Sequence, residues 1–360
     1  MDDQAAVVEA LALAVSVGVP VLLWGSPGTG KTSVIRSLAE AIGLPLETVI
    51  ASIREPSDFA GLPIINHDGA HPQVDFAPPR WARRLAAAGS GVLFFDEIST
   101  APPAVQAALL RVVLERTVGD LALPAGLSVV AAANPPEQAA SGWELSAPLA
   151  YRFCHFDWAV DGRAVADGLS GGWPTPRIPV LPEGWERWVP VARSWVGGFI
   201  RVRPALAVEV PEDAATAGRA WPSPRSWDMA ATLLAAARAA GSDDLVRSLL
   251  VRGAVGQGPG IELLTWLVEA DLPDPEAFVL PERGDRAYAA LSSVASAVAA
   301  NPTVERWQQG WVVFGRAADS ALDVAAAAAR PLVRCRPPGA PVPAEVHLFT
   351  DLLYDAGLLD

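Results

Sequence analysis

Lysine is nearly absent from this chain: its 360 residues include 27 basic side chains, and Lys31 is the single lysine among them. Cysteine is almost as scarce. Cys154 and Cys335 lie far apart in sequence, give no disulfide framework, and fit a reducing compartment. Positive charge is short overall, with a formal net charge of −13, which argues against the clustered basic surface that non-specific nucleic-acid binding requires. The start, Met1-Asp2-Asp3-Gln4, lacks the positive region of a secretory signal. Residues 10–30 carry no charge at all, but Gly18-Val19-Pro20 cuts that run into a helix end and a strand start. A single membrane-spanning helix is therefore not expected there. These absences predict a soluble, cytoplasmic chain. What is abundant is apolar: hydrophobic residues make up 51% of the sequence, and the length allows two domains.

The lone lysine stands inside Gly25-Ser26-Pro27-Gly28-Thr29-Gly30-Lys31-Thr32. Where any cation serves, this chain uses arginine, a planar fork; a phosphate-cradling loop needs a compact charge on a flexible stem instead. The segment fits the pattern G-x-x-x-x-G-K-[ST], and its context is the one such a loop requires. An apolar strand, Val19 to Trp24, precedes it and a helix from Thr32 to Ala41 follows. Nucleoside triphosphate binding is implied.

Further along, residues 47–52 read as a second strand. Leu62 to Ile65 and Gln73 to Phe76 flank Asp68-Gly69, which has hairpin-turn chemistry. Arg80 to Ala88 is helical. Gly91 to Glu97 is an apolar run ending in two carboxylates, the signature of a buried parallel strand with its acidic end at the ligand edge. Pro102-Pro103 opens a helix to Arg116, a second small hairpin is expected around Gly119-Asp120, and Leu127 to Ala133 is another buried strand. Phe153 to Trp158 supplies a fifth. Beyond residue 158 glycine and proline dominate up to 186, and every later segment has helical periodicity, among them 186–200, 226–240, 243–251, 261–270, 286–300 and 319–329.

Triphosphate hydrolysis is mostly positioning and charge neutralisation. Backbone amides of residues 26–32 would face phosphate oxygens at a helix N-terminus, and Lys31 would neutralise the β- and γ-phosphates. Thr32 and Asp96 are the candidate Mg²⁺ ligands. Glu97 is the candidate base for the attacking water. Asn134, after a buried strand, is either a water-placing amide or a turn-initiating Asn-Pro. Arg152 is either a catalytic cation or a surface salt-bridge arginine. Arg225 starts a helix, where it opposes the macrodipole unless an anion such as phosphate compensates it. His67 and His71 have metal-pair spacing, but Asp68-Gly69 breaks any helix between them, so exposed hairpin histidines are expected.

Taken together, these segments resemble the AAA+ ATPases, and within them the MoxR-like group. Gly25 to Thr32 corresponds to Walker A, Val92 to Glu97 to Walker B, and Asn134 to sensor 1. Pro56 to Gly61 with its following hairpin is similar to the helix-2 insert of that clade, and Leu110 to Val118 to the approach to its pre-sensor-1 hairpin. Leu149 to Phe153 is similar to the stretch bearing the arginine finger, and Ser223-Pro224-Arg225 to sensor 2. The wording around the finger departs from the family pattern, which leaves Arg111 and Arg116 as rivals of Arg152. The resemblance covers roughly residues 1–300 and implies an α/β P-loop core with a central parallel sheet and an all-helical lid; the helical pattern continues into a C-terminal extension that matches no family feature. The expected spans are 1–158 for the nucleotide domain, 159–222 for a connector, 223–300 for the lid and 301–360 for the extension. It further implies ATP and Mg²⁺ as ligands and a homo-oligomeric, hexameric ring with a finger acting in trans. Arg225 would report loss of the γ-phosphate to the helical domain. The implied partner is a protein to be remodelled, with a von Willebrand A domain protein as the candidate. The alternatives are an ATP-gated scaffold with little turnover and a DNA-directed motor, the latter opposed by the charge balance.

Overall fold

A computed structural model describes residues 3–67, 71–135, 138, 143–173, 175–269, 275, 278–300 and 302–355. Two compact units divide the chain: residues 1–182 with 208–257, and residues 183–207 with 258–360.

The first unit is built on a five-stranded sheet. In chain order it runs α1 (Asp3–Ser16), β1 (Val21–Trp24), α2 (Lys31–Ile42), β2 (Leu46–Ile50), α3 (Ser57–Ala60), β3 (Leu62–Asn66) and β4 (Gln73–Ala77). Then follow α4 (Arg80–Ala88), β5 (Ser90–Asp96), α5 (Pro103–Glu115), β6 (Thr117–Val118), β7 (Leu121–Ala122), β8 (Gly126–Ala133), α6 (Ala147–Ala150) and β9 (Cys154–Asp157). The order across the sheet is β2-β5-β8-β1-β9, and every pairing in it is parallel. Strand β1 therefore sits between β8 and β9, with all four of its residues buried. Crossover helices cover a parallel sheet on both faces, so its strands read as continuous apolar runs; Val92 to Phe95 and Val129 to Ala133 do so here. One core cluster joins Leu22, Phe59, Trp81, Phe95, Leu109 and Phe153. The uncharged run at the start of the chain is explained by burial, because Ala10 to Val15 of α1 are covered on all sides.

Both expected hairpins are present. Strand β3 pairs antiparallel with β4, and β6 with β7; the turn expected at Asp68-Gly69 lies outside the described residues. The bases of the two hairpins are stitched together. Gly119 N–H donates to the Phe59 carbonyl at 3.3 Å, and Asp120 N–H to the Phe76 carbonyl at 3.1 Å. A Cβ at Gly61 would lie 2.8 Å from Gly119 Cα, and one at Gly119 would lie 2.4 Å from the Phe76 oxygen. Only glycine permits so close a backbone approach.

Residues 159–186 were expected as linker, yet α7 (Gly162–Gly171) forms inside them. The Asp161 carboxylate caps it by accepting the Ala164 N–H at 2.7 Å, which offsets the poor helix propensity of its glycines. In the second unit lies α8 (Val189–Val202). The chain then returns to the first unit for α9 (Ala214–Ala217), α10 (Pro224–Ala239) and α11 (Asp244–Val255), which group with the sheet through contacts of α11 with α1 and β9. The span expected as lid, 223–300, is thus shared between the units.

Helices α12 (Gln257–Glu269), α13 (Gly284–Ala300), α14 (Val304–Ala328), α15 (Arg330–Arg334) and α16 (Thr350–Asp355) complete the second unit with α8. Helix α14 begins at Val304, well before the expected Asp319, and bends at Ala321, whose φ of −154° is not helical. Trp307, Trp311, Phe314 and Phe349 form its aromatic interior, with the Trp307 indole donating to the Leu332 carbonyl at 2.8 Å. No helix among the described residues is long and apolar enough to cross a membrane.

Candidate functional site

The loop leaving β1 and the first turn of α2 carry the site. Gly28 and Gly30 take φ of 79° and 84°, left-handed values that let the chain wrap inward without a Cβ penalty. Lys31, at the helix start, is 8% exposed. Its ammonium group donates to the carbonyls of Gly25 (2.6 Å) and Ser26 (3.0 Å) and to Asn134 Oδ1 (3.0 Å). Burial pushes its pKa below the usual lysine value, and the charges of Asp96 and Glu97 oppose that shift. The cation is thus folded back onto its own loop and held by the end of β8.

Thr32 and Asp96 meet, the hydroxyl donating to Asp96 Oδ2 at 2.8 Å. Strand β5 ends there. Its next residue, Glu97, has φ of 56°, an uncommon conformation for a residue with a Cβ. Its N–H donates to Asp96 Oδ1 at 3.0 Å, the Ser52 hydroxyl donates to Glu97 Oε2 at 2.5 Å, and its carbonyl accepts from the Thr100 hydroxyl at 3.0 Å and the Thr100 N–H at 3.2 Å. Ser52 was not singled out in the sequence. It lies just after β2, whose Ile50 pairs with Asp96, and only that non-local register brings its hydroxyl to the carboxylate. Asn134 is fixed from behind by Ser99, whose Oγ accepts the Asn134 N–H at 3.1 Å. Lys31, Thr32, Asp96, Glu97 and Asn134 therefore converge at one strand edge.

The arginines are elsewhere. A cavity of about 300 Å³ at the entering end of β1 is lined by Pro20, Arg116, Arg152, Arg225, Asp228 and Thr232, among others. Arg152 and Arg225 stand over the Tyr151 ring, at 4.7 and 5.6 Å from its centroid. Strand β1 separates this cavity from the loop, a span of roughly 10–13 Å at 3.3 Å per residue. Of the rival arginines, Arg111 is paired with Glu115 at 2.8 Å on the helix surface. Arg116 is spent on the carbonyls of Leu127 and Gly18, and burial lowers its pKa. Arg152 donates to the Pro148 carbonyl, while its buried Nε has no hydrogen-bond partner. Among these three, Arg152 alone keeps an unused buried donor.

Residues 20–153 match the AAA domain family, dynein-related subfamily. That match ends where the arginine-bearing turn ends, and it contains every member of the converging cluster. Residues 20–153 are thus similar to an AAA domain, and part of the chain is similar to MoxR proteins. The protein MoxR of Methylorubrum extorquens is 37% identical over 100 residues, 27% of this chain and 27% of that protein. The Paracoccus denitrificans protein MoxR is 37% identical over 99 residues, 27% of this chain and 28% of its own length. The chain thus spans little more than a quarter of the relatives it matches. Among solved structures, a candidate ATPase from Cytophaga hutchinsonii aligns with 71% of this chain and 82% of its own, at 18% identity and a TM-score of 0.42.

Just past the matched span, a buried histidine ties the loop strand to the arginine turn. Trp24 Nε1–H donates to His155 Nδ1 at 2.9 Å, and His155 Nε2–H donates to the Ala150 carbonyl at 2.9 Å. An indole only donates, so the imidazole must be neutral, with its proton on Nε2. Burial, the largest cause, pushes its pKa down to about 4; the Ala150 bond and Asp157 oppose this, and Arg219 adds to it. The unfolded chain then binds more protons than the native one between about pH 4 and 6.5, so stability falls as pH drops through that window. From pH 7 to 5 the loss is about 2 kcal/mol. Urea unfolding should show that drop in the wild type. His155→Gln, which cannot titrate, should show a drop smaller by that amount; equal drops would refute the assignment.

His67 and His71 are both exposed on the hairpin, and among the described residues no group of three or more histidine, cysteine or acidic side chains could hold a metal ion.

Proposed function

We propose that this chain is the subunit of an ATP-hydrolysing ring, hexameric as in the family it resembles, that remodels a protein partner in the cytoplasm. One observation carries the reading: Arg152 and Arg225 lie at the opposite end of β1 from Lys31. A triphosphate seated on Lys31 is out of reach of these arginines in the same chain, whereas a neighbouring chain could present both. Arg225 lines the same cavity as Arg152, which supports a part as a second trans cation rather than as a reporter on the γ-phosphate of its own chain.

In this reading, amides of Ser26, Pro27-flanking Gly28, Thr29, Gly30, Lys31 and Thr32 cradle the phosphates beside Gly25, and Lys31 neutralises them. Hard oxygen donors, Thr32 Oγ1 and Asp96 Oδ2 at 2.8 Å, suit Mg²⁺, which binds through one or two carboxylates plus phosphates and water. When bound, the ion supplies charge neutralisation at the phosphates. Glu97 takes the proton of the attacking water, and Asn134 orients that water beside Lys31. The partner is proposed to be a von Willebrand A domain protein. The apolar residues exposed on the β3–β4 hairpin, Leu62, Ile64, Ile65, Val74 and Phe76, favour a protein over a polar ligand as what the ring handles.

Turnover should rise steeply with protein concentration as subunits associate. Lys31→Ala should weaken ATP binding about 100-fold, measured by calorimetry; unchanged affinity would remove the loop from the site. A second reading is an ATP-gated scaffold, favoured by the Ser52 bond that occupies one Glu97 oxygen. Flat, near-zero turnover at every concentration would select it. A DNA-directed motor is opposed by the net charge of −13, and stimulation by DNA at physiological salt would revive it.

A further inference from the structure

A further arginine, Arg219, stands next to the residues that flank the loop, on the side away from Asp96. Arg219 stacks its guanidinium on the Trp24 indole, 4.2 Å from the ring centroid, and its Nη1 donates to Asp157 Oδ1 at 2.9 Å. Both anchors adjoin the loop. Trp24 is followed directly by Gly25, one Cα step of about 3.8 Å away. Asp157 is followed by Trp158, whose N–H donates to the Trp24 carbonyl at 2.6 Å and whose indole donates to the Thr29 carbonyl at 2.9 Å. A Cβ on Gly25 would lie 2.6 Å from the Trp158 oxygen, so β9 and the loop are in direct contact.

The flanks of the loop differ in charge. On the β8 and β5 side stand Asn134, Asp96 and Glu97, where the proposed γ-phosphate end would lie. On the β9 side the cation is Arg219. A triphosphate threaded through the loop with its terminal group toward Asp96 must leave toward β9 with its nucleoside end, past Arg219.

We propose that Arg219 grips the nucleoside-side phosphate of a nucleotide held in its own chain's Gly25–Thr32 loop, exchanging the Asp157 carboxylate for a phosphate oxygen. The exchange is physically easy. The Asp157 side chain is 84% exposed and that of Arg219 38%, and a surface ion pair of this kind is worth about 0–1 kcal/mol. A phosphate with two oxygens facing a planar fork is a stronger partner. The Trp24 ring meanwhile keeps the guanidinium in one plane by cation–π contact, so little orientation is lost on exchange. Arg219 and Arg225 would then stand at opposite ends of one short segment, the first on the chain's own nucleotide and the second on a neighbour's.

This inference rests on the loop being a nucleotide site, and the experiment separates the two. ADP and ATP binding are measured by calorimetry in a Glu97→Gln background for Arg219→Ala, Arg219→Gln, Asp157→Asn and the unmodified residues. Glutamine retains a long side chain over Trp24 while removing the charge. Both Arg219 variants should bind ADP and ATP about tenfold more weakly, by the same factor for each, and Asp157→Asn should bind at least as tightly as the parent. Equal affinity in the Arg219 variants would overturn the proposal. So would a loss confined to ATP, which would place Arg219 on the γ-phosphate, or an equal loss in Asp157→Asn, which would make the ion pair a structural clip. Failure of the parent protein to bind either nucleotide would instead remove the site reading itself.

Discussion

Glu97→Gln is expected to lower ATP turnover by about 10²–10⁴-fold while leaving ATP affinity close to that of the wild type. The glutamine is isosteric, so it can still accept the Ser52 hydroxyl, which reaches Glu97 Oε2 at 2.5 Å. It cannot take a proton from water. Lys31, Thr32 and Asp96, which would hold the phosphates, are untouched, and the Lys31 contacts to Gly25, Ser26 and Asn134 do not involve residue 97. Backbone strain at φ 56° is the same for both side chains. The variant should therefore accumulate the ATP-loaded assembly, visible as a larger species in light scattering on addition of ATP. Wild-type turnover in this variant would remove Glu97 as the base. That trapped state is also the bait with which to recover the protein partner.

The second large effect concerns Arg152. Arg152→Ala should retain ATP affinity and lose about 10³–10⁵-fold in turnover, the range expected for an arginine completing a neighbour's site. Mixing decides between cis and trans. Lys31→Ala subunits retain Arg152 but bind ATP about 100-fold more weakly; Arg152→Ala subunits hold ATP but lack the cation. A mixed ring contains interfaces at which an intact loop faces an intact Arg152, so activity should partly return. No recovery, with both variants shown to associate, would refute the trans role. The same mixing with Arg225→Ala should give the same pattern, because both guanidinium groups stand over the Tyr151 ring in one cavity.

The main elements were legible because each carries a local signal. The loop has its glycines at positions needing positive φ, the strands of the sheet read as apolar runs, and the hairpins have turn residues between β-branched segments. Errors came where local and tertiary preferences differ. Helix α7 formed in a glycine-rich stretch because one aspartate caps it. Helix α14 begins early because Trp307, Trp311 and Phe314, at helical spacing, bury one face. Ser52 has no local signal, because a lone serine after a strand forms no motif; Arg219, in a segment without periodicity, has none either.

By itself the sequence determined which chemistry is possible. A single compact cation in a glycine loop, two carboxylates at the end of an apolar run and an asparagine after another are local patterns, and their spacing along the chain survives without a fold. Which of these groups face one another was decided only by tertiary structure. The parallel order β2-β5-β8-β1-β9 sets Asp96 against Thr32 and Asn134 against Lys31 at one edge, while carrying Arg152 and Arg225 to the other. Strand direction is a property of the whole sheet, and no local signal encodes on which side of it an arginine will stand.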